Sequence, residues 1–131
     1  MADDMRAEPG RVLALTMGDP AGIGPEITLK AWTLRREASL PPFALIADPA
    51  VIARRADELA YDVALAEIDV PAKAAETFAE ALPVLPPPKP VRSFDAREPA
   101  PENAPSIISA IELGVDLVLA RQVSALVTNP M

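Results

Sequence analysis

The stretch that decides the fold of this chain is Thr16-Met17-Gly18-Asp19-Pro20-Ala21-Gly22-Ile23-Gly24-Pro25-Glu26. A nearly continuous apolar run over residues 12–17 leads into its glycines, and a helical pattern follows from Pro25. Proline suits the first helical position, and the acidic Glu26 complements the helix dipole there. The stretch therefore predicts a strand, a tight glycine-rich turn and the start of a helix.

The glycines of this turn have two interpretations. Gly22 and Gly24 can adopt a positive φ and let a ligand approach the backbone closely. Free N–H groups at the following helix start would then favour an anion such as a phosphate or a carboxylate. The alternative is a βα turn that binds nothing. Neither standard phosphate motif fits, since Ile27 replaces the third glycine of G-x-G-x-x-G and no Gly-Lys-Ser/Thr follows.

Composition limits the class of protein. The chain has 131 residues, half of them apolar, which predicts one folded domain with a buried core. Its net charge of −7 argues against nucleic acid and anionic membrane surfaces as partners. There is no cysteine, no signal-peptide pattern and no apolar stretch of membrane-spanning length. We therefore expect a soluble, cytoplasmic protein.

The chain also lacks histidine. Histidine is the commonest general acid or base and a frequent ligand of transition metals. Catalysis by these residues would have to rely on carboxylates, lysines, Tyr61 or hydroxyl groups. The composition therefore argues against chemistry carried out by these residues alone.

Turn signals and apolar periodicity predict alternating strands and helices. After a flexible leader of residues 1–10, strands are expected at 12–17, 43–47, 62–68 and 123–127, and helices at 25–36, 49–60, 71–80 and 103–121. Asp48 and Pro49 give a strong helix-start signal. The prolines of residues 82–101 predict an edge segment or an extended surface connection. This order indicates an α/β fold, a largely parallel sheet with helices on both faces.

Helical periodicity also predicts which residues face the core. In the helix 25–36 these are Ile27, Ala31 and Leu34, with Trp32 as a further packing residue. Gly114 predicts a close approach of the last helix to a neighbour. The inward stripe expected on that helix consists of Ile107, Ile111, Val115 and Val118, with Ile108 and Leu119 beside it.

The same pattern predicts where a ligand would bind. In parallel sheets, ligands bind beyond the carboxyl ends of the strands. If the first and last strands are parallel, residues 18–26 and 128–130 lie at one edge of the sheet. The sequence stops soon after the last strand, without a helix to cover it, so we expect an incomplete fold, a fragment of a longer one.

Two motifs resemble a known enzyme family. Residues 15–26, LTMGDPAGIGPE, closely resemble the N-terminal signature of the 4-hydroxythreonine-4-phosphate dehydrogenase family of vitamin B6 biosynthesis. Residues 125–130, ALVTNP, look like that family's strand and turn before a lysine-containing segment. The resemblance extends over residues 11–131. A shortened form of the first motif opens the isocitrate and isopropylmalate dehydrogenases, whose fold the family resembles.

The resemblance implies a cytoplasmic homodimer that uses NAD to oxidise a phosphorylated hydroxy-amino acid in pyridoxal phosphate biosynthesis. It also implies loss of CO2, helped by a divalent metal such as Zn²⁺, Mg²⁺ or Co²⁺. The family's histidine ligands, His-Thr pair and lysine follow the Thr-Asn-Pro turn, so no catalytic residue or metal ligand carries over. The residues that carry over, as neighbours of cofactor or substrate, are Asp19, Gly22, Ile23, Gly24, Glu26, Thr128 and Asn129.

Other interpretations stay open at this point. For each of these residues the alternative is a structural role: Asp19 would cap its own loop, and Glu26 would serve the helix dipole. The whole chain could be a non-catalytic binding or interaction module, or an inactive truncated product. A related dehydrogenase for another phosphorylated sugar acid or for a dihydrodiol would share the reaction type with a different substrate.

Overall fold

The fold comes from a computed structural model, which describes residues 12–92 and 98–130. The predicted leader, residues 1–10, lies outside the described residues. A short 3₁₀ turn, Pro101–Asn103, precedes the last helix. The other elements in the described parts are β1 (Leu13–Thr16), α1 (Gly24–Thr33), β2 (Phe43–Ile46), α2 (Pro49–Glu58), β3 (Leu65–Glu67), α3 (Ala72–Thr77), β4 (Leu82–Leu85), α4 (Ala104–Leu119) and β5 (Leu126–Thr128).

The strands form one parallel sheet in the order β3-β4-β2-β1-β5. Helices α1 and α2 pack on one face, where Leu29 and Ile52 join the core. Helices α3 and α4 cover the other face through Ala74, Ala110 and Leu117. The prediction of an α/β fold with a parallel sheet and helices on both faces is confirmed.

The start of α2 follows the predicted signal. Asp48 Oδ1 accepts a hydrogen bond of 3.0 Å from the Ala50 N–H, and Pro49 occupies the first turn. Asp48 Oδ2 accepts a second one, of 3.1 Å, from the Val91 N–H. One carboxylate therefore caps the helix and ties the proline-rich connection to the end of β2.

Side chains, and not a strand, hold the rest of that connection. The Lys89 N–H donates to Ser109 Oγ at 3.3 Å, and the Arg92 N–H donates to Asn103 Oδ1 at 2.8 Å. Because proline has no N–H, a segment of this composition offers few donors. Here the donors find acceptors on Asp48 before α2, on Asn103 of the 3₁₀ turn and on Ser109 of α4, so side chains fix the connection at three points.

The proline-rich segment begins later than predicted. Leu82–Leu85 is an interior strand between β3 and β2, so the expectation of an edge or loop is wrong for these residues. The Leu82 N–H donates to the Ala64 carbonyl oxygen, and the Ile68 N–H donates to the Val84 carbonyl oxygen, both at 2.8 Å. Pro83 lies between them, so its nitrogen faces β2, where the register begins only at Val84. The strand tolerates proline because no ladder bond is required at that point.

Helix α1 buries a different face from the predicted one. Ile27 is 42 % exposed and Leu34 39 % exposed, whereas Thr28, Leu29 and Trp32 are buried. Thr28 faces inward because its hydroxyl donates to the carbonyl oxygen one turn back, at 2.9 Å. The packing role of Trp32 is confirmed, and its indole N–H donates to a backbone oxygen at 2.9 Å. Satisfied polar groups thus take the place of the expected aliphatic stripe.

Helix α4 is also rotated relative to the prediction. Its buried residues are Ser106, Ser109, Ala110, Gly114 and Leu117. Of the predicted stripe and its flanks, Val115, Ile108 and Leu119 are exposed. The small residues let the helix approach the sheet, and a Cβ on Gly114 would lie 2.6 Å from a Leu126 methyl group. The predicted close approach at Gly114 is confirmed. None of the described helices is long and apolar enough to cross a membrane.

Two leucines on α4 separate the observed core face from the predicted one. Leu117 is 8 % exposed and Leu119 is 76 % exposed. We expect Leu117→Ala to lower the free energy of unfolding by about 2–4 kcal/mol, because it removes buried methyl groups, and Leu119→Ala to change it by less than about 0.5 kcal/mol. Urea unfolding of both variants checks this, and equal losses would contradict the observed packing.

Candidate functional site

Two distant parts of the sequence meet at the carboxyl edge of the sheet. β1 and β5 pair in parallel with Thr16 opposite Thr128. The Asn129 N–H donates to the Thr16 carbonyl oxygen at 3.3 Å. Residues 18–24, the glycine loop, follow β1, and residues 128–130, the Thr-Asn-Pro turn, lie at the end of β5. The prediction that these two segments share one edge is confirmed.

Close packing of backbone on backbone explains two glycines of the loop. Gly18 has a φ of +82°. A Cβ on Gly18 would overlap the Pro130 carbonyl oxygen. A Cβ on Gly24 would overlap the Met17 carbonyl oxygen and lie 3.1 Å from the Asn129 Cβ. Both glycines are therefore needed to bring the loop against the Thr-Asn-Pro turn, whether or not a ligand binds.

Gly22 has a different environment. Gly22 and Gly24 do not use the positive φ that glycine permits, since among the described glycines only Gly18 has one. The nearest atom to a Cβ on Gly22 would be the Asp19 carbonyl oxygen at 3.3 Å. A Cβ on Gly22 would therefore be accommodated by a small shift of Asp19, whereas one on Gly18 or Gly24 would overlap backbone atoms.

A buried hydrogen-bond chain joins the turn to the loop. Asn129 Nδ2 donates to Thr28 Oγ1 at 2.8 Å, and that hydroxyl donates to the Gly24 carbonyl oxygen at 2.9 Å. Asn129 and Thr28 are both buried. The amide nitrogen of Asn129 is therefore committed to structure, and it fixes the position of the turn relative to α1.

Asp19 holds the loop from within. Its Oδ1 accepts a hydrogen bond of 2.9 Å from the Ala21 N–H, and its carbonyl oxygen accepts one of 2.9 Å from the Gly22 N–H. This is the capping arrangement that the sequence offered as the alternative to ligand contact. The carboxylate shapes the turn by local hydrogen bonds.

Three of the predicted site residues face solvent. Ile23 is 55 % exposed, and Glu26 and Thr128 are also exposed. Glu26 lies in the first turn of α1, where the sequence placed it. The loop, the first turn of α1 and the end of β5 therefore each contribute one of these exposed side chains, which are apolar, acidic and hydroxyl-bearing in that order.

Arg55 is a contact of the loop that sequence reasoning missed. Its Nη1 lies 3.4 Å from the Pro20 carbonyl oxygen and 3.5 Å from the Gly22 carbonyl oxygen. Its Nε lies 3.8 Å from Glu58 Oε1, and the side chain is only 12 % exposed. Helical spacing is the sequence signal that could have indicated an inward position for Arg55, because Arg55 is three residues after the buried Ile52 on the same face of α2.

A small cavity lies beneath this edge, at the ends of β1 and β2. Thr16, Asp48 and Ser106 are among its lining residues, and its volume of about 10 Å³ matches a single water molecule. Thr16 Oγ1 is a buried polar atom without a hydrogen-bond partner among the described residues. The cavity is far too small for a phosphorylated substrate or a dinucleotide.

A metal site is not formed by the described residues. Within residues 12–92 and 98–130, no three His, Cys, Asp or Glu side chains gather closely enough to hold an ion. The donor set that the described residues offer therefore does not fit the metal implied by the resemblance.

Curated proteins named 4-hydroxythreonine-4-phosphate dehydrogenase are similar to this chain. The protein from Methylorubrum populi is 48% identical over 126 residues, which cover 95% of this chain and 36% of the relative. The one from Bradyrhizobium diazoefficiens is 40% identical over 135 residues, covering 97% and 39%. This chain is a homologue of the 4-hydroxythreonine-4-phosphate dehydrogenases. The resemblance seen in its two motifs is confirmed.

Solved structures of 4-hydroxythreonine-4-phosphate dehydrogenases share the fold. The enzyme from Klebsiella pneumoniae aligns with a TM-score of 0.69 at 25% identity, over 92% of this chain and 37% of that one. The enzyme from Burkholderia phymatum gives a TM-score of 0.71 at 18% identity, over 90% and 36%. No family model matches the chain. The chain spans little more than a third of the length of the curated relatives named above.

Two glycines of the loop form a matched pair for testing. We expect Gly24→Ala to lower the free energy of unfolding by about 2–4 kcal/mol, because its Cβ has no space between two backbone segments. Gly22→Ala should cost less than about 1 kcal/mol, because only small shifts of Asp19 are needed. Thermal and urea unfolding provide the measurement. Comparable losses for the two variants would show that close backbone contact is not what Gly24 serves.

The Asn129–Thr28 bond has its own test. Thr28→Val keeps the side-chain shape but leaves the buried Asn129 amide without its acceptor, which should cost about 1–3 kcal/mol of unfolding free energy. Thr33→Val is the control, because the Thr33 hydroxyl donates to a backbone oxygen at 2.7 Å on the exposed surface, where water replaces the bond. If both variants unfold at the same urea concentration, the buried bond contributes nothing.

Proposed function

We propose that this chain is the N-terminal part of an NAD- and divalent-metal-dependent 4-hydroxythreonine-4-phosphate dehydrogenase. The enzyme would oxidise the secondary alcohol of 4-phosphooxy-threonine, and decarboxylation would follow, in the synthesis of pyridoxal phosphate. The similarity to curated enzymes of that name over 95% of the chain supports this function. The proposal extends to a cytoplasmic homodimer, with no nucleic acid or membrane partner.

One structural observation carries the proposal. The glycine loop and the Thr-Asn-Pro turn, which hold the two family-like motifs, come together beyond the carboxyl ends of parallel strands. This is the edge at which α/β sheets bind ligands. Gly24, Thr28 and Asn129 hold the two turns together at that edge.

Each predicted site residue has a proposed part. Asp19 and Asn129 would hold the loop and the turn in shape, as their hydrogen bonds indicate. Ile23, Glu26 and Thr128, which are exposed, would face the cofactor or the substrate. NAD, when bound, supplies the hydride acceptor for alcohol oxidation. Gly22, which has no side chain, and the exposed Ile23 would lie against the edge of such a ligand.

The phosphate and the metal need further groups. With a net charge of −7, the chain does not attract an anionic substrate by its overall field. The described residues offer no donor set for a divalent ion. We therefore assign no step to the metal and expect its ligands in other parts of the complete protein.

Activity of the complete native protein tests the proposal. With 4-hydroxythreonine-4-phosphate, NAD and Mg²⁺, Mn²⁺ or Zn²⁺, we expect NADH formation measured by absorbance, together with CO2 release. Turnover only with another phosphorylated sugar acid or with a dihydrodiol would correct the substrate and keep the reaction type. Absence of NADH formation with all of these would leave a non-catalytic binding module as the function.

The matched control is the 131-residue chain by itself. We expect it to form no NADH under the same conditions, because it contains no histidine and its described residues contain no metal cluster. Metal-dependent NADH production by the purified 131-residue chain would contradict this and would locate the catalytic groups within it.

A further inference from the structure

We propose that Arg55 is a positioning residue, which sets the orientation of two peptide planes in the glycine loop. The inference rests on the proposed function only for its kinetic consequence. Its structural part concerns the peptides Pro20–Ala21 and Gly22–Ile23, whose carbonyl oxygens lie 3.4 Å and 3.5 Å from Arg55 Nη1.

The Arg55 side chain is held in a restricted position. It belongs to the middle of α2, a rigid element whose start is capped by Asp48. Its side chain is 12 % exposed, and Glu58 lies 3.8 Å from its Nε on the next turn. A guanidinium held in this way has little rotamer freedom left, so it costs little further entropy to contact the loop.

The contact determines where the loop's N–H groups point. In a trans peptide the N–H is directed opposite to the C=O. With the Pro20 and Gly22 carbonyl oxygens turned toward Arg55, the N–H groups of Ala21 and Ile23 are directed away from it. The Ala21 N–H indeed meets Asp19 Oδ1 at 2.9 Å. Asp19 and Arg55 therefore fix the first peptide from its two sides.

The second peptide depends on Arg55 more strongly. Gly22 has no side chain, so no Cβ at this position restricts a flip of the Gly22–Ile23 peptide. A flip would turn the Gly22 carbonyl oxygen away from Arg55. It would then occupy the side of the loop to which the Ile23 N–H otherwise points, at the start of α1. In an acidic chain, that reversal would convert a surface that favours anions into one that repels them.

Kinetics of the complete native protein test this inference. Because the loop would contact ligand in ground and transition states alike, we expect Arg55→Met to raise KM for substrate or NAD by about tenfold and to change kcat by less than about threefold. Arg55→Lys, which keeps the charge but loses the planar fork, should recover part of the loss. Equal KM values for wild type and Arg55→Met would overturn the inference.

Arg54→Met is the matched control. Arg54 precedes Arg55 on α2 and also has Glu58 within 3.9 Å, but its side chain is 54 % exposed, whereas that of Arg55 is 12 % exposed. We expect its KM and kcat to stay within about twofold of wild type. If Arg54→Met raises KM as much as Arg55→Met does, the effect is one of general charge or helix stability, and the inference is wrong.

Amide hydrogen exchange separates this inference from the proposed function. We expect Arg55→Met to speed exchange at Ala21 and Gly22 by about tenfold, as the loop loses its orientation, while Arg54→Met leaves it unchanged. This holds even if the complete protein shows no dehydrogenase activity, which would overturn only the proposed function. If Arg55→Met fails to fold, Arg55→Lys decides, and unchanged exchange and KM in Arg55→Lys would overturn the inference.

Discussion

The contact between the glycine loop and the end of β5 is the constraint on which this edge of the structure depends. Gly18 and Gly24 pack against the carbonyl oxygens of Pro130 and Met17 so closely that no Cβ fits. This contact holds β5 in register with β1 and places the start of α1 over the sheet. Any larger residue at either glycine would push apart the two segments that form the candidate site.

The sequence predicted this edge because its signals were local and redundant. An apolar run, a glycine turn and a proline at the first turn of α1 all indicate the same strand–turn–helix unit, and Asp48-Pro49 repeats the helix-start signal at α2. Parallel pairing then follows from the alternation of elements. Local signals of this kind survive in the structure since each satisfies backbone hydrogen-bonding needs that any tertiary context imposes.

Features that depend on tertiary packing could not be predicted from the sequence. Helix α4 is apolar on most sides, so periodicity cannot select its buried face, and the small residues around Ala110 and Gly114 decide it. A proline is not expected in an interior strand. Pro83 is tolerated because the hydrogen bonds of its neighbours to β3 leave its nitrogen facing β2 at a point where no ladder bond forms. Arg55 belongs to no recognisable motif, and its contact with the glycine loop follows only from the approach of α2 to that loop.

These contacts bear on how the edge would work. The loop is held by Asp19 from within, by Arg55 from α2 and by the Asn129–Thr28 pair from β5. A loop restrained from three sides has lost its conformational freedom before any ligand arrives, so binding does not bear that entropy cost. In the function proposed above, a chain without histidine would contribute to catalysis in this way, by supplying a preorganised binding edge.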